Sequence, residues 1–346
     1  MLFKSTLILS VALAASISGA PTGQGFTLQE LSSGYALFTK DQSTNIMSSV
    51  QKYFSSNNIK NLLPSDLYVA PNNQTGTISN ADLLKYGRYA GAAYKVLDKS
   101  WTCMINCWSP DTWGTVVDYH WNTNGDGAPS YGFVAHKSDT KEIVVSWRGS
   151  TILMDWIENM MFLPTPWPLR IVGSGVHIGL LAVYKSAADG IKKNIANLVA
   201  KYPDYKIVLT GHSLGGAEAT VAAADIVLTR PEWVSKLQLW TYGEPRVGTP
   251  AFANWLSQQP FPIYRVVNKG DLVPQTPTRS LGFQHHSQEV WYSPNDGTKF
   301  CGSNGENPKC QNSLSLFQLS ILNHLQYPGL SYQLLYWAIG NIESIL

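Results

Sequence analysis

Six residues near the middle of the chain, Gly211-His212-Ser213-Leu214-Gly215-Gly216, constrain the fold more than any other stretch. They follow a short β-branched run, Lys206-Ile207-Val208-Leu209-Thr210, and lead into an Ala-rich helical stretch over 215–228. This is the G-x-S-x-G pattern in the setting that gives it meaning, with a strand before and a helix after. So sharp a strand-to-helix turn needs glycines at 211 and 215, which leave room for neighbouring backbone. The turn pushes the Ser213 hydroxyl into the open at the sheet edge. It points the Leu214 backbone N–H at the same space, beside a helix N-terminus that favours negative charge. A serine hydroxyl is a weak nucleophile by itself and needs an adjacent base.

The same alternation of strand and helix extends on both sides of the turn. Residues 131–136 and 142–147 alternate as a hairpin around Ser138-Asp139. Helical periodicity over 183–201 ends at Tyr202-Pro203, where proline stops it. Residues 237–242 and 263–267 read as further buried strands. Ser79 reads as the N-cap of a helix that carries Leu83, Leu84, Tyr86, Ala90, Ala93 and Tyr94 on one face. The expected class is α/β, a central, mostly parallel sheet with helices on its faces. No linker interrupts 79–346, which predicts one domain there.

Composition narrows the function classes. The chain has 346 residues, 44% hydrophobic and 14% charged, which excludes a disordered chain. A net charge of +2 provides no field that would hold a polyanion, so nucleic acid is not an expected partner.

Lys4, an apolar run over 7–15 and the small residues Ser18-Gly19-Ala20 read as an export signal over 1–20. That run is too short to span a bilayer, so stable membrane insertion is not expected. Residues 21–78 are polar and irregular, an N-terminal extension or propeptide. Secretion implies an oxidising compartment, and the four cysteines fit one. Cys103/Cys107 and Cys301/Cys310 are the favoured disulfides, since each closes a short loop at little entropic cost. Their spacing lacks the tight pairs of a zinc finger and no histidine pair accompanies them, so no metal is expected. Asn73-Gln74-Thr75 is the one glycosylation sequon.

The partners of Ser213 follow from chain order, which in such hydrolases runs nucleophile, acid, histidine. Asp271 lies just past the strand at 263–267, where sheets of this type assemble their sites. Glu244, just past 237–242, is its rival, whereas Asp225 falls in a helix and Asp296 in a polar loop. Three histidines follow: His285, His286 and His324. Order alone leaves the choice among them open. His120, His136 and His177 precede the serine, and adjacency in sequence turns the side chain of His212 away from that of Ser213.

Several stretches together resemble the secreted fungal class 3 lipases, a branch of the α/β hydrolases. They are Trp147-Arg148-Gly149-Ser150, Val176-His177-Ile178-Gly179, the Gly211–Gly216 turn, Tyr242-Gly243-Glu244-Pro245-Arg246-Val247-Gly248, Tyr264-Arg265-Val266-Val267-Asn268 with Asp271 and Pro274, and Asn323-His324-Leu325-Gln326-Tyr327. The resemblance covers about residues 79–328 and implies an α/β-hydrolase fold with a helical lid. It assigns Ser213 as nucleophile, Asp271 as acid and His324 as base, and leaves His285 and His286 in a non-catalytic Gly-Phe-x-His segment. It also makes the backbone N–H groups of Ser150 and Leu214 the oxyanion donors, with no cofactor.

The segment after Ser150 bears on the substrate. Asp155, Glu158 and Asn159 are spaced i, i+3, i+4 and share one helical stripe, while Ile152, Leu153, Met154, Trp156, Ile157 and Met160 leave the rest of the wheel apolar. In the family this segment is the lid, which can bury its apolar face in lipid at an interface. The implied activity is a secreted triacylglycerol lipase acting on long-chain acylglycerols at a lipid–water interface. The alternative is another carboxylester hydrolase on the same scaffold, a phospholipase A1 or a feruloyl esterase. Two departures stand out. Glu244 occupies a position that is often uncharged in relatives, and the apolar run from Gly329 to Leu346 reads as a docked C-terminal helix or an interfacial contact.

Overall fold

A computed structural model of the chain describes residues 78–96, 98–103, 105–123, 129–150 and 163–330. All of these fall within one compact unit, residues 70–338. The readings that concern the export signal, the extension up to residue 77, Asn73, the lid residues Ile152, Leu153, Met154, Trp156, Ile157 and Met160, and segment 331–346 lie outside the described residues.

The elements run α1 (Asn80–Ala92), α2 (Ile105–Trp108), β1 (Val116–Asn122), β2 (Tyr131–Lys137), β3 (Glu142–Trp147), β4 (Pro164–Pro166), β5 (Gly175–His177), α3 (Ile178–Lys201), β6 (Lys206–His212) and α4 (Leu214–Thr229). They continue through β7 (Leu237–Tyr242), α5 (Pro250–Ser257), β8 (Ile263–Asn268), β9 (Glu289–Ser293), β10 (Gly297–Phe300) and the one-turn helix α6 (Ile321–His324). Among the described residues, eight strands form one sheet in the order β1-β2-β3-β6-β7-β8-β9-β10, and β4 and β5 form a separate ribbon. The central five, β3, β6, β7, β8 and β9, are parallel, and an antiparallel pairing closes each end.

The alternation of side chains along β3 and β6 decides which helix covers which face. Ile143, Val145, Ile207 and Leu209 belong to the large apolar cluster that includes α3 and α4. Residues of the other parity face α1, where the Ser146 and Thr210 hydroxyls donate to the Tyr89 and Tyr86 carbonyls. Buried on both faces, the inner strands are nearly continuous apolar runs, as parallel strands must be. Helix α4 is buried almost all round from Leu214 to Ala224, which its alanines and glycines permit.

Register then sets the site edge. Trp147 pairs with Gly211, Gly211 with Thr241 and Thr241 with Arg265, so β3, β6 and β7 end within one residue of one another, and β8 runs on past them to Asn268. The hairpin β2–β3 and the helix α4 form where the sequence places them. Two boundaries differ. Strand β6 runs two residues beyond the β-branched run, because Gly211 and His212 still pair with Thr241 and Tyr242. Helix α3 begins at Ile178, five residues before its periodicity is clear, because the His177 ring accepts from the Gly179 and Leu180 N–H groups. An imidazole cap is absent from the usual Ser/Thr/Asp/Asn start signal. Both local disulfides, Cys103–Cys107 and Cys301–Cys310, are formed. No described helix is long and apolar enough to cross a membrane.

Candidate active site

Ser213 sits at the tip of the turn between β6 and α4 with φ 59° and ψ −129°, a positive φ outside glycine. Such a conformation costs of order 1–3 kcal/mol and persists only where its surroundings impose it. Here the turn is packed against the end of β3. A methyl group on Gly215 would lie 2.3 Å from the Trp147 carbonyl oxygen, and one on Gly211 would lie 2.3 Å from Gly215 itself. The Ser213 N–H donates to the Tyr242 carbonyl at 2.9 Å, which ties the turn to β7. Ser213 is 1% exposed, and its hydroxyl has no hydrogen-bond partner among the described residues.

Asp271 lies past the end of β8, and its loop is held from the other side by the segment before α6. The Ser320 N–H donates to the Gly270 carbonyl at 2.7 Å, and Asp271 bridges Ser320. Three donors converge on the Asp271 carboxylate. The Val273 N–H reaches Oδ1 at 2.9 Å, while His324 Nδ1 at 2.8 Å and the Tyr327 hydroxyl at 2.5 Å both reach Oδ2. Burial first, and then the charge of Asp271, raise the Tyr327 hydroxyl well above its ordinary pKa, which keeps it a donor. Its oxygen also accepts the Asn268 N–H at 3.1 Å, so one side chain joins β8 to the carboxylate.

A carboxylate that accepts from Nδ1 leaves the lone pair of neutral His324 on Nε2. That nitrogen is buried and has no partner among the described residues, like the Ser213 hydroxyl. The two groups that a nucleophile–base pair requires are therefore both unspent, at the same level of one sheet edge. Gly243 closes the floor of this arrangement. At φ +60°, its absent side chain would lie 2.8 Å from His324 Cε1 and 2.9 Å from Asp271 Oδ2. Leu214 is the first residue of α4, so its N–H has no partner inside the helix. Ser150 follows Gly149, and a methyl group on Gly149 would lie 3.0 Å from Ser213 Cβ.

The other candidates are held elsewhere. His285 Nε2 is 2.7 Å from the Pro274 carbonyl, and burial, then Arg265 and Arg246, push its pKa well below the ordinary value. His286 pairs with Glu244, Nε2 to Oε2 at 3.0 Å, and Thr241 donates to the same oxygen at 2.5 Å. Glu244, the rival acid, is thus buried and committed to His286, not to His324. Asp225 accepts from Tyr184 and Lys192, and Asp296 pairs with Lys299. Sequence reasoning missed the contacts of Tyr327 and Tyr94. No local pattern distinguishes a hydroxyl that will meet a carboxylate from one that faces water.

The family model for lipase (class 3) matches residues 144–281. The lipase of Rhizomucor miehei is 35% identical over 242 residues, which cover 67% of this chain and 63% of that protein. This chain thus spans less than two thirds of that relative's length. The secreted mono- and diacylglycerol lipase A of Penicillium cyclopium is 30% identical over 236 residues, 65% of this chain and 75% of the relative. Among solved structures, the triacylglyceride lipase of Rhizomucor miehei superposes with a TM-score of 0.67 at 31% identity, covering 74% of this chain and 96% of that one. Its α/β-hydrolase sheet, its G-x-S-x-G turn and these relatives together make this chain a member of the class 3 lipase family.

Proposed function

We propose that the protein is a secreted serine lipase that hydrolyses the carboxylic esters of acylglycerols. The observation that carries the reading is the 2.8 Å His324–Asp271 hydrogen bond, with Nε2 of His324 and the Ser213 hydroxyl both buried and without a partner among the described residues. Such pairs are often long before substrate binds and tighten in the complex. In this reading Nε2 of His324 takes the Ser213 proton as Oγ attacks the ester carbonyl. The Leu214 and Ser150 N–H groups stabilise the oxyanion, and losing one such donor typically costs about 10²–10³ in rate. His324 then protonates the leaving alcohol, and water hydrolyses the acyl-enzyme with the same imidazole as base. Asp271 holds the ring in its tautomer and stabilises the imidazolium. Residues 79–346 form the catalytic domain, preceded by an export signal over 1–20 and an extension over 21–78.

The lipid surface is the proposed partner. Leu316 is 82% exposed and Phe317 wholly so, on the turn that leads into α6 and His324. Apolar side chains held in water next to a site mark a surface that leaves water in use. The apolar lid segment 152–160 supports the same reading from sequence. The Penicillium relative, a mono- and diacylglycerol lipase, favours partial glycerides as a second substrate class. A fluorophosphonate probe should label the wild type and not Ser213→Ala, and the untreated wild type should cleave emulsified long-chain glycerides faster than dissolved short esters. An unlabelled wild type would overturn the hydrolase reading. Preference for a soluble aromatic ester would overturn the lipase reading.

A further inference from the structure

His212 precedes Ser213 and is 1% exposed, yet it takes no part in the proton transfer proposed above. Strand parity puts it on the α1 face, two residues beyond Thr210, so its ring points away from Ser213 and towards the segments that carry Tyr94 and His324. Its Nε2 is 2.9 Å from the backbone carbonyl of His324, and its Nδ1 is 2.8 Å from the Tyr94 hydroxyl. Its ring lies on that of His324 with centroids 4.3 Å apart and planes 36° apart, and meets Tyr327 edge-on at 5.5 Å. We infer that His212 is a positioning residue that fixes His324 through both its carbonyl and its ring. The inference rests on the reading of His324 as the base.

The chemistry of the partners sets the direction of the chain. A carbonyl only accepts, so Nε2 of His212 carries the proton. Its burial disfavours a second proton on the ring, so Nδ1 accepts from Tyr94, whose hydroxyl burial holds protonated. Both ring nitrogens are spent with a single proton between them, so His212 is neutral. Burial, and then the neighbouring His324, press its pKa well below the ordinary value in agreement with this. Neutrality matters, because a charged ring stacked on His324 would oppose the imidazolium that forms there during turnover. The one-turn helix α6 is held at the Asn323 carbonyl by the Asn268 side chain, and the His212 N–H adds a tie at the next carbonyl, that of His324.

Three substitutions separate this role from simple core packing. His212→Phe keeps a ring and loses both hydrogen bonds. His212→Gln keeps an N–H donor near the Nε2 position. Tyr94→Phe removes the hydroxyl that holds the other end of the ring at Nδ1. Active sites are counted by end-point fluorophosphonate labelling, and turnover per site is measured on a dissolved p-nitrophenyl ester. His212→Phe should lower kcat per labelled site by about 10- to 100-fold, the scale of an ångström-sized misplacement, with KM within about twofold. His212→Gln should recover most of that loss, and Tyr94→Phe should lose about 3- to 10-fold on the same energetic scale. Nitrogen NMR of the wild type should show His212 as the neutral Nε2–H tautomer from about pH 5 to 9. Unchanged kcat per site in His212→Phe or Tyr94→Phe, no recovery in His212→Gln, or a His212 that titrates would each overturn the inference. A wild type that is neither labelled nor active would instead refute the hydrolase reading on which it depends.

Discussion

Gly243→Ala tests whether the close fit around His324 and Asp271 is what makes the site work. The backbone there has φ +60°, and the added methyl would stand 2.8–2.9 Å from His324 Cε1, His324 Nδ1 and Asp271 Oδ2. Ordinary contact begins near 3.4 Å, so the deficit is about half an ångström against both partners of one hydrogen bond. A left-handed non-glycine residue costs about 1–2 kcal/mol and overpacking about 1–3 kcal/mol. The expected loss of stability is roughly 2–5 kcal/mol. The cheapest relief is to part His324 from Asp271, so turnover should fall about 10³-fold or more, as when a triad loses its orienting carboxylate. Gly282→Ala is the matched control. It too has positive φ, +82°, but nothing lies within 4 Å of the added methyl. It should cost about 1–2 kcal/mol, a few degrees in Tm for a domain of this size, and leave turnover per labelled site unchanged. Turnover in Gly243→Ala within about threefold of wild type, or an equal loss in Gly282→Ala, would refute the reasoning.

Other outcomes follow from the same structure. Tyr327→Phe strips a donor from the Asp271 carboxylate and leaves the Asn268 N–H unmatched, so both Tm and kcat should drop, on the scale of about 1.5–3 kcal/mol for a hydrogen bond to a charged group; an unaltered Tm would show that water replaces the hydroxyl. Exchanging Leu316 and Phe317 for serine should slow hydrolysis of emulsified glycerides at least about tenfold, since burying such a side chain is worth about 1.5–3 kcal/mol, while rates on dissolved esters hold; parallel loss on both substrates would exclude an interfacial role. Burial lifts the Glu218 carboxyl to a pKa of about 8, with Ser130 its only hydrogen-bond partner among the described residues. The native state thus holds this proton more tightly than the unfolded chain. The stability it confers is complete below the unfolded pKa near 4.5 and lost as pH rises to about 8. Glu218→Gln should flatten the fall in Tm between those limits and raise Tm at pH 8. An unchanged pH profile of unfolding would show that Glu218 ionises freely in the native state.

Much of the architecture was legible from short stretches of chain. Alternation marked the hairpin β2–β3, short β-branched or apolar runs marked β6, β7 and β8, and Gly211 to Gly216 marked the one strand-to-helix turn tight enough to present a hydroxyl. The cysteine spacings pointed to the two local disulfides. The edge strand β10 carried a weaker signal, because Gly297–Phe300 is half-buried with no apolar run to announce it.

The candidate site divides along the same line. Chain order and strand position singled out Ser213 and favoured Asp271, because both depend only on what precedes them by a few residues. The residues alone left His285, His286 and His324 level, and resemblance to a family rather than local physics separated them. Tertiary structure separates them directly. His285 is held by a carbonyl and His286 by Glu244, while His324 is brought to an aspartate 53 residues before it. Tyr94, 118 residues before His212, and Tyr327, 56 residues after Asp271, lie outside the strands and enter the site only where the tertiary fold packs their segments against it. Local sequence sets which way each strand's side chains alternate, but only the register of β3, β6, β7 and β8 decides which of them meet.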